Sequence, residues 1–301
     1  MDSFVRKEAP FGVVSLKISI VTPSLNQGAY LEACIQSILN QKYSNLEYVI
    51  MDGGSRDHSA AIIRKYAGYL HDYRIGPDKG HYHAINQGFL LTRGGKADIM
   101  GWLNSDDMYM PWAFSIITEI FSKFPQVEWL TTTCPVLWNT RGVPHRTLER
   151  NRFSAGSFFA GDNCHKNHIQ QESTFWRRSL WERSGGALNP QYTLAADFEL
   201  WARFFRHAHC YGVCTTLGGF REHPLQQTAQ KMEVYLGQAR EALEHHQKHL
   251  PAGYLFRHQL MSAAARTIGK RGMFRNRQWI APDSFIAYDR ADGWKIKGPA
   301  F

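Results

Sequence analysis

Short apolar runs alternate with amphipathic segments over the first half of the chain. The runs 17–23, 46–51 and 97–102 are apolar or β-branched, as in buried strands. The segment 29–41 between the first two repeats apolar residues at helical spacing: Leu31, Cys34, Ile35, Ile38 and Leu39. Strands and helices that alternate in this way predict a mostly parallel sheet with helices on both faces.

The pattern changes after a further predicted strand at 127–136. Residues 138–168 show little periodicity, and a loop of this length is usually a lid or a binding loop. The segments beyond it are a strand at 173–177, a short helix at 179–184, a helix at 196–207, strands at 210–213 and 217–220, and helices at 226–249 and 254–268. We therefore predict an α/β domain at 15–224, in halves 15–136 and 137–224, and a mainly helical C-terminal extension at 225–301.

Length and composition narrow the class of protein. A chain of 301 residues that is 44% hydrophobic can bury a sizeable core. No apolar run approaches the roughly 18–20 residues of a membrane span. The five cysteines form no Cys-x-x-Cys pair, so reduced thiols are the simplest interpretation. We expect a cytoplasmic protein.

The formal charge of +9 is concentrated near the C-terminus. Residues 224–301 contain twelve Lys or Arg against six Asp or Glu, with a cluster at Arg266, Lys270, Arg271, Arg275 and Arg277. This cluster lies beside the apolar stripe of the helix at 254–268, a combination typical of membrane-surface segments. We predict peripheral contact of 254–277 with an anionic membrane, or packing of the stripe on the main domain. Nucleic acid is an unlikely partner, because no recognised binding module is present.

Three predicted strands end in polar side chains. Ser24 and Asn26 follow the first strand, Asp52 ends the second, and 104–107 (Asn-Ser-Asp-Asp) follows the strand at 97–102. The carboxyl ends of parallel strands form the ligand-binding edge of such a sheet. Adjacent acids at 106 and 107 suit a divalent cation, although 104–107 could instead be a turn that caps the next helix. Dinucleotide-binding and P-loop glycine motifs are absent, as is any zinc-spaced Cys/His cluster.

These motifs, in their order and spacing, resemble the inverting glycosyltransferases of family 2, which have a GT-A fold. The resemblance covers residues 17–223 and rests on 22–27 (Thr-Pro-Ser-Leu-Asn-Gln), 36–41 (Gln-Ser-Ile-Leu-Asn-Gln), 48–57 (Tyr-Val-Ile-Met-Asp-Gly-Gly-Ser-Arg-Asp), 78–80 (Asp-Lys-Gly), 86–88 (Asn-Gln-Gly), 103–107 (Leu-Asn-Ser-Asp-Asp) and 195–201 (Ala-Ala-Asp-Phe-Glu-Leu-Trp). It implies that 15–136 binds the donor nucleotide and that 137–224 binds the acceptor.

The resemblance also implies a site for a nucleotide-sugar. The residues expected to contact the nucleotide are Pro23, Ser24, Asn26, Asp52, Asp78, Lys79, Asn104, Ser105, Asp106 and Arg221. Asp52 would accept a hydrogen bond from the base, and Asn104 would face the ribose. Asp106 would bind Mg²⁺ or Mn²⁺, with His223 completing the metal shell. The chain departs from the family at Asn104, where an aspartate is usual, so metal ligation there is not expected.

The remaining implied roles concern the reaction itself. Asp197 matches the family's catalytic base, which would take a proton from the acceptor hydroxyl, although Ala196 replaces the usual acid before it. Arg221 would contact the diphosphate, with Arg150 and Arg152 as weaker candidates. Glu172 and Trp176 are expected on the acceptor side.

We therefore expect metal-assisted transfer of a sugar, from a UDP-sugar most readily, to a hydroxyl of a glycan or lipid-linked acceptor. The pathway would be polysaccharide or glycan biosynthesis, on the inner face of the membrane if attachment is peripheral. Two alternatives remain open. A nucleotidyltransferase could use a similar sheet, although 24–28 lacks the expected Gly-rich basic loop. A catalytically silent binding module would account for Asn104 and Ala196.

Overall fold

The computed structural model describes residues 16–92, 95, 98–148, 153–161, 169–224, 226, 231–260 and 285–297. Arg150 and Arg152 lie outside these residues, as do the basic cluster at 266–277 and most of the predicted membrane-surface segment. Among the described residues, no helix is long and apolar enough to cross a bilayer.

Strands and helices follow one another largely as the sequence predicts. The strands are β1 Ile18–Ser24, β2 Leu46–Asp52, β3 Asp72–Ile75, β4 Ile99–Trp102, β5 Met108–Tyr109, β6 Trp129–Thr132, β7 Val136–Trp138, β8 Pro144–Thr147, β9 Phe175–Arg177, β10 Cys210–Val213, β11 Gly218–Arg221, β12 Phe285–Asp289 and β13 Gly293–Lys297. The helices are α1 Gly28–Leu39, α2 Ser59–Tyr66, α3 His81–Leu90, α4 Ala113–Lys123, α5 Ala155–Phe159, α6 Arg178–Arg183, α7 Ala196–Phe205 and α8 Met232–Gln247.

A nine-stranded sheet forms the centre of the molecule, in the order β13-β12-β10-β6-β9-β4-β1-β2-β3. Only β9 and β13 run against the other strands. The strand β1 lies between β2 and β4 and is buried along its whole length, because helices cover both faces of the sheet. The prediction of an α/β fold with a mostly parallel sheet is confirmed.

The core is divided by the sheet into two hydrophobic clusters. One contains Val21 and a group of tryptophans in mutual contact at Trp102, Trp129, Trp176 and Trp201. The other contains Ile20 and the apolar stripe of α1. Gly88 lets α3 approach the sheet closely, since a Cβ at this position would lie 2.5 Å from Val21 Cγ1.

A second, four-stranded sheet has the order β5-β11-β7-β8. The single strand predicted at 127–136 is in fact two strands, because the chain leaves the large sheet after β6 and enters the small one at β7. The predicted loop at 138–168 likewise contains β8 and α5. The pairing of β5 with β11 matters for function, because it brings the segment after β4 beside residues 221–223.

The C-terminal part of the chain packs on the main domain where it is described. Ala239, Ala242 and Leu243 of α8 are buried in the cluster that also contains α7. The expectation of a mainly helical extension is incomplete, because β12 and β13 form a hairpin that joins the large sheet beside β10. The division into separate domains at 224 stays a prediction.

Candidate active site

The carboxyl ends of β1 and β2 place the first predicted residues side by side. Ser24 and Asp52 are partners in the parallel register, and Pro23 is buried next to them opposite Met51. The hydroxyl of Ser24 is buried and has no hydrogen-bond partner among the described residues. A buried hydroxyl of this kind is free to bond a ligand at the sheet edge.

Asp52 organises the turn that follows β2. Its Oδ1 accepts hydrogen bonds from the backbone of Gly54 and Ser55, at 3.1 and 2.8 Å, and its Oδ2 accepts one from Ser55 Oγ at 2.6 Å. Ser55 Oγ in turn accepts from the backbone of Asn26 at 2.8 Å, and Asn26 has a left-handed φ of 54°. A carboxylate accepts about four hydrogen bonds, so Asp52 retains room for one donor from a ligand.

Asp78 lies against this turn. A Cβ added to Gly53 would lie 3.0 Å from Asp78 Oδ2, while Asp78 Oδ1 accepts a hydrogen bond from the backbone of Gly80 at 2.7 Å. Asp78 and the neighbouring Lys79 are exposed. The structure thus brings Ser24, Asn26, Asp52 and Asp78 to one end of the sheet edge.

The segment after β4 forms the other end of the edge. Asp106 Oδ2 lies 2.9 Å from His223 Nε2, although the two residues are 117 positions apart in the chain. The adjacent Asp107 is fully buried and accepts a hydrogen bond from the backbone of Arg221 at 2.7 Å. Asp106 is therefore the acid that faces the site, and Asp107 holds the segment in place.

The arrangement of Asp106 and His223 suits a divalent cation. Two neighbouring ligands of an octahedral ion with bonds of about 2.1 Å lie about 3 Å apart, which matches the 2.9 Å separation. Asp106 retains some exposure, whereas His223 is enclosed. One carboxylate and one imidazole fit Mn²⁺, with phosphate and water oxygens as further ligands. Within the described residues, no group of three Asp, Glu, His or Cys side chains is arranged to hold a metal alone.

Asn104 and Ser105 lie next to this pair. The amide nitrogen of Asn104 is 3.4 Å from Asp107 Oδ2, while its buried Oδ1 has no partner in the described part of the chain. Ser105 is buried. The unpaired carbonyl oxygen of Asn104 can accept a hydrogen bond from a ligand hydroxyl.

Arg221 is buried behind Asp106 and holds this segment in place. Its guanidinium donates to the carbonyls of Asp106 and Thr140 and lies over the ring of Tyr30, 5.0 Å from the centroid. The ring of Tyr30 also contacts His223, at 4.7 Å. Because Arg221 is buried and bonded in this way, it positions the Asp106 segment and does not reach out to a diphosphate. The sequence analysis missed Tyr30, which only the three-dimensional contact identifies.

Asp197 lies in the first turn of α7, three residues after Leu194, whose carbonyl accepts a hydrogen bond from Tyr82 of α3 at 2.7 Å. Its Oδ1 is buried and lacks a hydrogen-bond partner among the described residues. Burial raises the pKa of Asp197 from 3.8 to about 6, against hydrogen bonds from the α7 backbone and Tyr82 that lower it. The carboxylate is ionised at neutral pH and more basic than an ordinary aspartate.

Glu172 lies between these groups. Burial raises its pKa to about 8, and the carboxylates of Asp106 and Asp197 both act in the same direction. Burial, Asp106 and Glu172 likewise hold the pKa of Asp107 well above its usual range. Trp176 was expected on the acceptor side, but its side chain is fully buried between β4 and β6 among other tryptophans. Trp176 therefore belongs to the core.

A sequence model described as glycosyl transferase family 2 matches residues 19–210, which is more than half of the chain. The chain belongs to glycosyl transferase family 2. The match includes all the site residues above except Arg221 and His223.

Curated relatives of this glycosyl transferase family 2 chain include two bacterial groups. An uncharacterized glycosyltransferase of Nostoc sp. is 33% identical over 110 residues, or 35% of this chain and 33% of the relative. A PGL/p-HBAD biosynthesis glycosyltransferase of Mycobacterium bovis is 27% identical over 191 residues, or 62% of this chain and 69% of the relative. The match thus spans about a third of the Nostoc relative.

Solved structures of low identity share the fold. TarS of S. aureus, crystallised with UDP, superposes with a TM-score of 0.60 at 14% identity, over 87% of this chain and 74% of TarS. A mannosyltransferase of Pyrobaculum calidifontis, solved with GDP-Man and Mn²⁺, gives 0.53 at 13% identity, over 86% and 81% of the two chains. The predicted GT-A architecture of this family 2 chain is confirmed.

Proposed function

We propose that the chain is an inverting glycosyltransferase that moves a sugar from a nucleotide-sugar, a UDP-sugar most readily, to a hydroxyl of a glycan or lipid-linked acceptor. One arrangement carries the proposal: Asp197 has an unpaired Oδ1 and a more basic carboxylate, and it follows Leu194, whose carbonyl bonds Tyr82 at the start of α3, beside the sheet edge that holds the Asp106–His223 pair. Glu172 is near both groups, because the charges of Asp106 and Asp197 both raise its pKa.

The donor would lie along the edge from β2 to the segment after β4. Asp52 has one free acceptor position for the base, with Asp78 and Lys79 at the outer side. Asn104 Oδ1 would accept from the ribose, and the diphosphate would lie beside Asp106 and His223. UDP in the TarS structure and Mn²⁺ with GDP-Man in the mannosyltransferase structure support a nucleotide-sugar and a divalent cation as the ligands.

Asp106 and His223 would hold Mg²⁺ or Mn²⁺ in this site. When bound, the cation stabilises the negative charge that develops on the departing nucleoside diphosphate. Asp107 and Arg221 keep Asp106 in position through hydrogen bonds to backbone atoms.

Asp197 would act as the base of a single displacement. It takes the proton of the acceptor hydroxyl while that oxygen attacks the anomeric carbon, and the bond from this carbon to the diphosphate oxygen breaks. Because attack comes from the side opposite the leaving group, the anomeric configuration inverts. A carboxylate with a pKa near 6 is a better proton acceptor than an ordinary aspartate and is still ionised at pH 7.

The test pairs two carboxylate variants. Asp197→Asn should fold and bind UDP with Mn²⁺ yet transfer no sugar from any member of a nucleotide-sugar panel. Asp106→Asn should lose the part of UDP binding that depends on Mn²⁺, measured by thermal shift with and without the ion. Full transfer by Asp197→Asn would rule out its role as the base. Release of pyrophosphate by the wild type would favour a nucleotidyltransferase, and no turnover with any donor would favour a silent binding module.

We also propose that residues 254–277 attach the enzyme to an anionic membrane, where a lipid-linked acceptor would be available on the inner face. In support, Phe256 and Leu260 are exposed one helical turn apart beside Arg257. Leu255 packs on the core, which fits the alternative that part of this stripe is structural. Replacing Phe256 and Leu260 by Ser should reduce flotation with anionic liposomes, whereas Val234→Ser, at an exposed position of α8, should not.

A further inference from the structure

The turn at 171–173 is held rigidly behind the candidate active site. Gln171 Nε2 donates to the carbonyl of Trp102 at 2.7 Å, and Trp102 is the last residue of β4. The backbone of Glu172 packs on β11, where a Cβ added to Gly218 would lie 2.5 Å from the Glu172 carbonyl oxygen. Ser173 Oγ bonds both the N–H and the carbonyl of Gly218, at 3.0 and 3.2 Å. Both side chains at 171 and 172 therefore start from a fixed backbone.

Two acceptor atoms of this turn have no partner. Gln171 Oε1 and Glu172 Oε1 are buried without a hydrogen bond to any described residue. The two residues are 8% and 3% exposed. Buried polar atoms in folded proteins are nearly always hydrogen-bonded, and the amide nitrogen of Gln171 already is. The amide oxygen of Gln171 can accept a hydrogen bond from a ligand, and the carboxyl group of Glu172, which is mostly protonated at pH 7, can both accept and donate one.

The position of the turn limits what that ligand can be. Gln171 bonds to Trp102, two residues before Asn104, and Ser173 bonds to Gly218 of β11, which leads to Arg221 and His223. Glu172 also experiences the charges of Asp106, on the side proposed for the diphosphate, and of Asp197, on the side proposed for the acceptor hydroxyl. In a single displacement, the group between the leaving phosphate and the attacking hydroxyl is the transferred sugar. Sugar hydroxyls both donate and accept hydrogen bonds, so they can pair with the Gln171 amide oxygen and with the Glu172 carboxyl group.

We infer that Gln171 and Glu172 bind hydroxyl groups of the transferred sugar and so contribute to the choice of donor. The inference rests on the proposed function and gives Glu172 a place on the donor side, not on the acceptor side as the sequence analysis expected. A site that bonds a hydroxyl rejects an analogue that lacks it or presents it elsewhere, because its buried polar atom is then left unpaired.

The experiment separates the contribution of the sugar to binding from that of the nucleotide. UDP, GDP and dTDP are titrated calorimetrically into the wild type with Mn²⁺, followed by the glucose, galactose, N-acetylglucosamine and mannose esters of the nucleotide that binds. The same titrations are run on Glu172→Ala, on Gln171→Ala and on a matched control, Glu182→Ala, which changes an exposed acid of α6. Thermal unfolding checks that each variant is folded.

In the two turn variants we expect the Kd of the preferred nucleotide-sugar to rise about tenfold, with discrimination among the sugars reduced. The Kd of the free nucleoside diphosphate should change less than about twofold, and Glu182→Ala should alter neither value. An equal change for nucleotide and nucleotide-sugar, or no change for either, would overturn this inference alone. A wild type that binds none of the nucleotides would overturn the proposed function, and the inference with it.

Discussion

The buried carboxylate of Asp197, the proposed base, carries a cost in stability. Its pKa in the folded protein is about 6, above the ordinary value of 3.8, and burial is the main cause. The folded state therefore binds a proton more tightly than the unfolded state between these two pH values. As the pH rises from about 4 to about 6, this residue makes the folded protein progressively less stable, and the full penalty remains at higher pH.

Asp197→Asn should accordingly stabilise the protein at pH 7.5. A shift of about two pKa units corresponds to roughly 1–3 kcal/mol in the free energy of unfolding. The difference between variant and wild type should shrink towards zero near pH 4, because both side chains are then uncharged. Urea unfolding of both proteins at the two pH values measures this difference.

An exposed acid provides the control for this effect. Asp292→Asn lies on the hairpin turn and should change stability by no more than about 0.5 kcal/mol at either pH. The same pKa predicts that the transfer rate of the wild type falls as the pH drops below about 6, since the base becomes protonated. If Asp197→Asn were less stable than the wild type at pH 7.5, burial of the Asp197 carboxylate would not be destabilising.

Sequence reasoning identified the ends of the site but not how they meet. Strand periodicity places Ser24 and Asp52 at neighbouring strand ends, because parallel pairing fixes which edge they share. The approach of His223 to Asp106 depends instead on the pairing of β5 with β11, which no local pattern encodes. Only the resemblance to a family suggested that contact in advance, and it did not suggest Tyr30.

The sequence analysis missed the strands that are defined by pairing with segments far away in the chain. β6 and β7 are separate strands because they pair in two different sheets. The periodicity of 127–136 is the same for one strand as for two. The β12–β13 hairpin has only one fully buried and one largely buried apolar side chain, Ile286 and Trp294, so its alternating pattern is weak.

The hairpin nevertheless contributes to the core. Trp294 is 6% exposed and packs with Ile286 in the hydrophobic cluster beneath α4. Trp294→Ala should lower the free energy of unfolding by about 3–5 kcal/mol, the usual range for removing a buried aromatic side chain. Denaturant unfolding followed by circular dichroism measures the loss.

A second aromatic residue on the same hairpin provides the comparison. Tyr288 is 61% exposed and meets Trp294 in a T-shaped contact, with ring centroids 5.4 Å apart. Tyr288→Ala should therefore cost no more than about 1 kcal/mol. Similar losses for the two variants would show that the hairpin is not packed into the core through Trp294.

At the scale of the whole molecule, the C-terminal extension holds the segment that contains the proposed base. Gln238 of α8 accepts hydrogen bonds at its Oε1 from the backbone of Leu194 and Ala195, at 2.9 and 3.2 Å. His246, farther along α8, lies 3.1 Å from Glu199 of α7. The predicted boundary at 224 would thus separate Asp197 from the helix that positions it.

Gln238→Ala should leave the nucleotide-binding residues unchanged and displace Asp197, the proposed base. We expect kcat to fall about 10- to 100-fold, because small displacements of a catalytic group are costly, while the affinity for UDP with Mn²⁺ is unchanged. Gln238→Glu keeps an oxygen that can accept both backbone bonds and should restore much of the rate. Steady-state kinetics with calorimetric UDP binding separates the two effects.

Gln247 supplies the matched control for this prediction. It lies on the same helix and donates to the carbonyl of Phe159 of α5 at 2.7 Å, and within the described part of the chain it makes no hydrogen bond to the backbone that precedes Asp197. Gln247→Ala removes one hydrogen bond of α8 and should lower stability by about 1 kcal/mol with little effect on kcat. If both variants reduced kcat equally, α8 would act through general packing on the core. A selective effect of Gln238 would instead show that residues beyond 224 belong to the catalytic unit.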